Sequence, residues 1–229
     1  MPTDLASLPA PGAVLFDLDG TLVDTVETRI ASWLEALETA GLPTTADRLA
    51  PLIGMDGRRV AREIAALTGT VLDDGRAEAI DHASGEAYAR LNLAPRALPG
   101  VSDLVAVLDA RAIPWAIATS SRQAQVAASV AALGLEGEPR IVDASHVTKA
   151  KPEPDLLLHA AERLGIAPAR CWYVGDSTWD MIAAVAAGMT AVGVTAGAAV
   201  SAGVLANAGA DVVVADLTEI ASALAGRPD

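Results

Sequence analysis

The chain has 229 residues, 52% of them hydrophobic, and a formal net charge of −13. This length fits one large domain, or one domain with a smaller companion, and so acidic a balance argues against a nucleic-acid-binding surface, which needs clustered Lys and Arg. No stretch approaches the ~18 uninterrupted apolar residues of a membrane span, the opening Met-Pro-Thr-Asp-Leu lacks the basic region of a signal peptide, and the lone Cys171 excludes an internal disulfide. These features predict a cytoplasmic protein that engages neither nucleic acid nor membrane.

The first element is the apolar run beginning at Val14, which has the length of a buried strand and ends in Asp17 and Asp19, followed by Gly20 and Thr21. Carboxylates this close repel unless a cation or a shared proton intervenes, so the end of this strand predicts a metal or acid/base site. From about residue 26 to 95 no convincing strand is found. Helical patterns cover roughly 26–40, 57–68 and 74–92, which predicts a helical insertion, and Pro95 and Pro99-Gly100 mark the return to the main fold. Asp24 reads as the N-cap of the first inserted helix.

Beyond residue 97 strands and helices alternate. Trp115–Thr119, Arg140–Asp143, Cys171–Gly175, Thr190–Val194 and Val212–Ala215 read as strands. Ser121–Leu133, Asp155–Leu164, Thr178–Ala187, Val200–Ala208 and Leu217–Leu224 read as helices, three of them stopped by Gly134, Gly165 and Gly188. The alternation predicts an α/β fold: a Rossmann-like parallel sheet with helices on both faces, plus a small inserted helical domain. The predicted division is residues 1–24 and 96–229 for the core and 25–95 for the insert.

Open parallel sheets bind ligands beyond the carboxyl ends of their strands. The polar residues predicted there are Asp17 and Asp19, then Thr119, Ser120 and Ser121, then Asp176 and Ser177 with Asp180 four residues past Asp176. Lys151-Pro152 opens the helix after the third strand. The 16 basic residues include only two lysines, Lys149 and Lys151, both in this short segment. Carboxylates crowded into one crevice need a divalent cation, and all-oxygen ligands suit Mg²⁺. A hydroxyl, a lysine and free amides at a strand–helix turn suit a phosphate, and a carboxylate can itself be a nucleophile. Metal, phosphate cradle and nucleophile together describe phosphoryl transfer.

Asp17-Leu18-Asp19-Gly20-Thr21, Thr119-Ser120, Lys151-Pro152-Glu153-Pro154-Asp155 and Gly175-Asp176-Ser177-Thr178-Trp179-Asp180 resemble, in order and spacing, the four motifs of the haloacid-dehalogenase-like hydrolases. The inserted helices resemble the cap of the phosphoglycolate-phosphatase and β-phosphoglucomutase branch. The resemblance implies that Asp17 is the nucleophile and Asp19 the general acid/base. It implies that Mg²⁺ is held by Asp17, the Asp19 carbonyl and Asp176, with Asp180 in support. Thr119 and Lys151 would bind the phosphoryl oxygens with the Ser120 amide, and Gly20 and Thr21 belong to the same phosphate-binding turn. The implied substrate is a small phosphorylated metabolite, a phosphoglycolate or sugar phosphate; a sugar phosphomutase and a non-catalytic phosphate-ester sensor are the alternatives. Monomer and homodimer both remain open.

The insert bears on the choice. It contains no lysine, which disfavours Schiff-base cleavage of a phosphorus–carbon bond, and the presence of Asp19 disfavours dehalogenation. The mutase relatives carry a histidine near the position of Arg29, and none is present here. Ile53-Gly54-Met55-Asp56-Gly57-Arg58-Arg59 resembles a substrate-specificity loop. Arg58 or Arg59 either meets a substrate anion or belongs to a solvated helix face with Arg62. Arg122 is either at the site or on the surface. Lys149 reads as a surface lysine and Cys171 as core; His82, His146 and His159 share no spacing and carry no assigned chemistry.

Overall fold

A computed structural model describes residues 4–122, 125–135, 137 and 139–228. Its centre is a six-stranded sheet of β1 (Ala13–Phe16), β2 (Trp115–Thr119), β3 (Ile141–Asp143), β4 (Cys171–Gly175), β5 (Thr190–Val194) and β6 (Val212–Val214), in the order β3-β2-β1-β4-β5-β6. Every pairing is parallel. Successive side chains of a strand face opposite ways: Val14 and Phe16 enter one apolar layer, Ala13 and Leu15 the other. The first layer is covered by α5 (Val101–Ala110), α6 (Ala127–Ala132) and α10 (Leu217–Ala225), the second by α7 (Asp155–Leu164), α8 (Thr178–Ala187) and α9 (Ala202–Asn207). Both faces are therefore dry, which is why the strands read as continuous apolar runs rather than alternating ones.

Between β1 and α5 the chain forms α1 (Val26–Thr39), the single turn α2 (Ala46–Leu49), α3 (Gly57–Leu67) and α4 (Asp74–Leu91). α4 packs against both α1 and α3. Trp33, Leu37, Leu49, Ile64 and Ile80 form an apolar cluster of their own, separate from the two layers on the sheet. The chain leaves and re-enters the sheet region through two crossing segments tied side by side: Leu98 N donates to Leu22 O at 2.9 Å and Asp24 N to Arg96 O at 2.9 Å.

Four details differ from the sequence reading. Residues 123–124 of the helix expected over Ser121–Leu133 lie outside the described residues, and the helix that is described begins only at Ala127. Thr25, not Asp24, occupies the N-cap of α1, and Asp24 is exposed; the Thr25 hydroxyl is turned to Asp19 rather than to the helix amides. Lys151-Pro152 does not open α7, which starts at Asp155 after a Pro154 cap. The lysine instead sits in the preceding turn, from which its side chain reaches Asp17 at the end of β1. α5 and α2 are additional helices: Val101, Val105 and Val107 give α5 a strand-like composition, and its cap is Gly100 at φ +88° rather than a side-chain acceptor.

Candidate active site

β1 and β4 lie side by side where the strand order reverses, the place where open α/β sheets form a crevice. Asp17 follows β1 directly, held by its amide donating to Val174 O at 2.9 Å; Asp176 and Asp180 follow β4. Lys151 is fully buried. Its Nζ lies 2.6 Å from Asp17 Oδ1, 2.8 Å from Asp180 Oδ1 and 3.2 Å from the Tyr173 hydroxyl. The second oxygen of Asp180 accepts from Ser177 N at 3.0 Å and Ser177 Oγ at 2.6 Å, completing a capping box on α8. Thr21 Oγ1 donates to Asp176 Oδ1 at 2.8 Å. Gly20 allows this turn in two ways. Its φ is +85°, and a Cβ there would stand 2.3 Å from Asp176 Oδ2.

Carboxylate oxygens of Asp17, Asp176 and Asp180 lie within 4.8 Å of one another. Burial raises the pKa of Asp17, the Lys151 charge opposes it, and Asp180 and Asp19 add to the rise. Burial, then Asp180 and Asp17, push Asp176 well above the ordinary carboxylate range. Lys151 is held protonated because the two aspartates outweigh its burial. Three buried acids around one ammonium leave excess negative charge in an all-oxygen donor set. That is the environment in which a hard divalent cation binds, so the residues fit one.

Asp19 is built differently. Its carboxylate faces the insert and is filled by donors: Arg29 Nε at 3.0 Å and Nη2 at 2.6 Å, Tyr88 OH at 2.6 Å, Thr25 Oγ1 at 2.7 Å and Ser121 Oγ at 3.1 Å. Burial alone would raise its pKa, but the Arg29 charge and these hydrogen bonds outweigh burial and hold it below the usual range. Sequence reasoning did not assign Arg29 or Tyr88 a role. The one signal in the sequence is that an arginine stands near the position where the mutase relatives carry a histidine; the tyrosine lies 69 residues from Asp19 in sequence, and nothing local links them.

Asp17, Asp19, Thr119, Ser120 and Lys151 share a cavity of about 280 Å³ between the sheet edge and the insert. Thr119 Oγ1 accepts from Ser121 N at 3.1 Å, and Ser120 Oγ donates to Gly54 O at 3.3 Å. Arg58 and Arg122 also line the cavity, whereas Arg59 does not: it points along α3 toward Glu63 and lies 6.0 Å over the Trp179 ring. Gly20, Thr21, Asp176 and Asp180 do not line this cavity. The insert closes against the core through Asp56 N on Lys151 O at 2.8 Å and Trp179 Nε1 on Pro51 O at 2.9 Å.

A family model described as haloacid dehalogenase-like hydrolase matches residues 14–194. Among curated proteins, the chain is 36% identical over 183 residues to a fructose-1-phosphate phosphatase of Escherichia coli, covering 79% of this chain and 95% of that one. It is 32% identical over 190 residues to a β-phosphoglucomutase of Bacillus subtilis, covering 81% and 84%. It is likewise 32% identical over 185 residues to a phosphoglycolate phosphatase of Xanthomonas campestris, covering 80% and 82%. A crystal structure of a hydrolase from Pseudomonas syringae superposes with a TM-score of 0.86 at 35% identity, covering 93% of this chain and 97% of that one.

Proposed function

The chain belongs to the haloacid dehalogenase-like hydrolases, and on that premise we propose that it is a Mg²⁺-dependent phosphatase acting on a small phosphate monoester through an aspartyl-phosphate. Its named relatives are phosphatases and a phosphomutase of small phosphorylated metabolites. The observation that carries the reading is the placement of Asp17: buried at the end of β1, 2.6 Å from Lys151 and clustered with Asp176 and Asp180.

In this mechanism an Asp17 carboxylate oxygen bonds to phosphorus as the ester P–O bond breaks, and the leaving oxygen takes a proton from Asp19. Water then attacks phosphorus and gives a proton to Asp19, which restores the Asp17 carboxylate and releases inorganic phosphate. The donors around Asp19 favour its carboxylate, the form the second step requires; the first step needs its acid form, so Asp19 takes up a proton as the anionic ester binds beside it. Lys151 and Thr119 hold phosphoryl oxygens with the Ser120 amide, and Lys151 keeps Asp17 oriented. Asp17, the Asp19 carbonyl and Asp176 would hold Mg²⁺, with Asp180 fixing Lys151 and the α8 turn behind them. The cation would supply charge neutralisation at the phosphoryl group. Residues 25–95 would serve as a cap over a core of 1–24 and 96–229, a division supported by a cavity lined from both segments, and we infer the cytoplasm as the compartment.

Replacing Asp17 by Asn is expected to lower phosphate release from an aryl phosphate by about a thousandfold or more, and EDTA is expected to silence the wild type. Wild-type turnover by Asp17→Asn would overturn the proposal. The similarity to a β-phosphoglucomutase supports a second reading, a sugar phosphomutase. Isomerised sugar phosphate formed without free phosphate would establish it in place of hydrolysis.

A further inference from the structure

The wall of the cavity remote from Asp17 is made by five charged side chains: Asp56 and Arg58 at the start of α3, Glu78 and Asp81 on α4, and Arg122 just past β2. Arg58 Nη2 lies 2.9 Å from Asp56 Oδ2 and donates to Thr148 O at 3.2 Å, while its Nε lies 3.8 Å from Glu78 Oε2. Arg122 is hydrogen-bonded and ion-paired to Glu78. Asp81 abuts the first turn of α3 so closely that a Cβ on Gly57 would stand 1.8 Å from its Oδ1. The other two cations on the cavity are also engaged: Arg29 by Asp19, and Lys151 by Asp17 and Asp180.

Each Lys and Arg among the described cavity-lining residues is therefore already paired with a carboxylate. The remote wall sets three acids against two guanidinium groups. An ester whose leaving group carries a carboxylate would have to take a guanidinium from its present partner, leaving a carboxylate unpaired beside a second anion. A hydroxyl imposes no such exchange. It donates to a carboxylate and accepts from the guanidinium N–H groups that the ion pairs leave over, since an Arg has five donors and a carboxylate about four acceptor sites. We propose that this wall selects a hydroxyl-rich leaving group, so that the substrate is a sugar or polyol monophosphate and carboxylate-bearing esters such as 2-phosphoglycolate are rejected. Asp56, Glu78 and Asp81 are the specificity-determining residues. The inference rests on the phosphatase reading above and narrows its substrate class.

The test compares kcat/KM for phosphate release with Mg²⁺ from a panel of hexose and hexitol monophosphates, from 2-phosphoglycolate and from an aryl phosphate. The best hydroxyl-rich ester is expected to exceed 2-phosphoglycolate by about 100-fold or more, less than the roughly 10⁴-fold reached by fully buried hydrogen-bonding sites because Arg58, Glu78 and Arg122 are partly exposed. Glu78→Gln releases Arg122 and lowers the wall's negative charge. It is expected to move the ratio toward 2-phosphoglycolate by about tenfold, and Asp81→Asn to move it the same way should Glu78→Gln fail to fold. Aryl phosphate turnover with 2-phosphoglycolate hydrolysed as well as every hydroxyl-rich ester would overturn this inference and leave the phosphatase reading intact. The same holds if the ratio is unmoved in both folded variants. Absence of turnover on the aryl phosphate and on every ester would instead remove the phosphatase reading, and this inference with it.

Discussion

Arg29 reaches from α1 to place Nε and Nη2 on one oxygen of Asp19, and Nη2 also lies 2.5 Å from Ser121 Oγ. Its guanidinium carbon sits 3.3 Å over the Tyr88 ring, whose hydroxyl donates to the other Asp19 oxygen. Asn92 and Ser129 continue this buried network into α6. One partner of a buried pair cannot be removed cheaply, because the other keeps its charge without solvation. Arg29→Met is therefore expected to lower the unfolding free energy by ~3–5 kcal/mol, measured by urea denaturation. Arg29→Lys is expected to recover only part of the loss, because an ammonium cannot reproduce the planar fork that lies on Tyr88 while binding Asp19. Equal stability of Arg29→Met and the wild type would show that the pair contributes nothing.

At the scale of elements, α3 and α4 meet through Asp81. Burial raises the Asp81 pKa from 3.8 to about 6; Arg122 and Arg58 lower it, and Asp56 and Glu78 raise it. Because the folded value lies above the unfolded one, Asp81 stabilises the fold below about pH 4 and loses that contribution as pH rises through about 6. The melting temperature of Asp81→Asn relative to wild type is thus expected to climb between pH 4.5 and pH 7.5 in a thermal shift series. A difference that stays flat, or falls, would contradict the burial of this carboxyl. The same two helices show what sequence patterning resolves. α3 and α4 are legible from their 3.6-residue apolar spacing, and α7 and α8 from that spacing and the glycine that ends each. The short turn α2 and the valine-rich α5 are not, since four residues carry too little period and β-branched residues blur it.

For the whole molecule, the relevant quantity is the unbalanced charge at the sheet edge. A ligand that binds only the folded chain raises stability by mass action, about 2.7 kcal/mol at a hundred times its dissociation constant. Mg²⁺ is therefore expected to raise the melting temperature of the wild type at neutral pH, EDTA to reverse the rise, and Asp176→Asn to shrink it. An identical shift in Asp176→Asn would place the cation elsewhere. No helix among the described residues is long and apolar enough to cross a membrane.

By itself the sequence determined the parallel α/β core, the helical insertion, and the candidacy of Asp17, Asp19, Thr119, Lys151, Asp176 and Asp180. Strand-end acids, glycine stops and apolar runs are local signals that depend only on residues near in the chain. Tertiary structure decided what depends on residues far apart. The strand order seats β1 between β2 and β4, which brings the residues that follow β4 beside Asp17. Lys151 lies 134 residues from Asp17 in sequence, yet the fold buries it between two acids. Asp19 was handed to Arg29 and Tyr88, and Arg58, which sequence left open between substrate and solvent, was paired with Asp56 on the cavity wall. Hydrogen bonds and ion pairs form between side chains that packing brings together, and no periodicity in the chain encodes which pairs those will be.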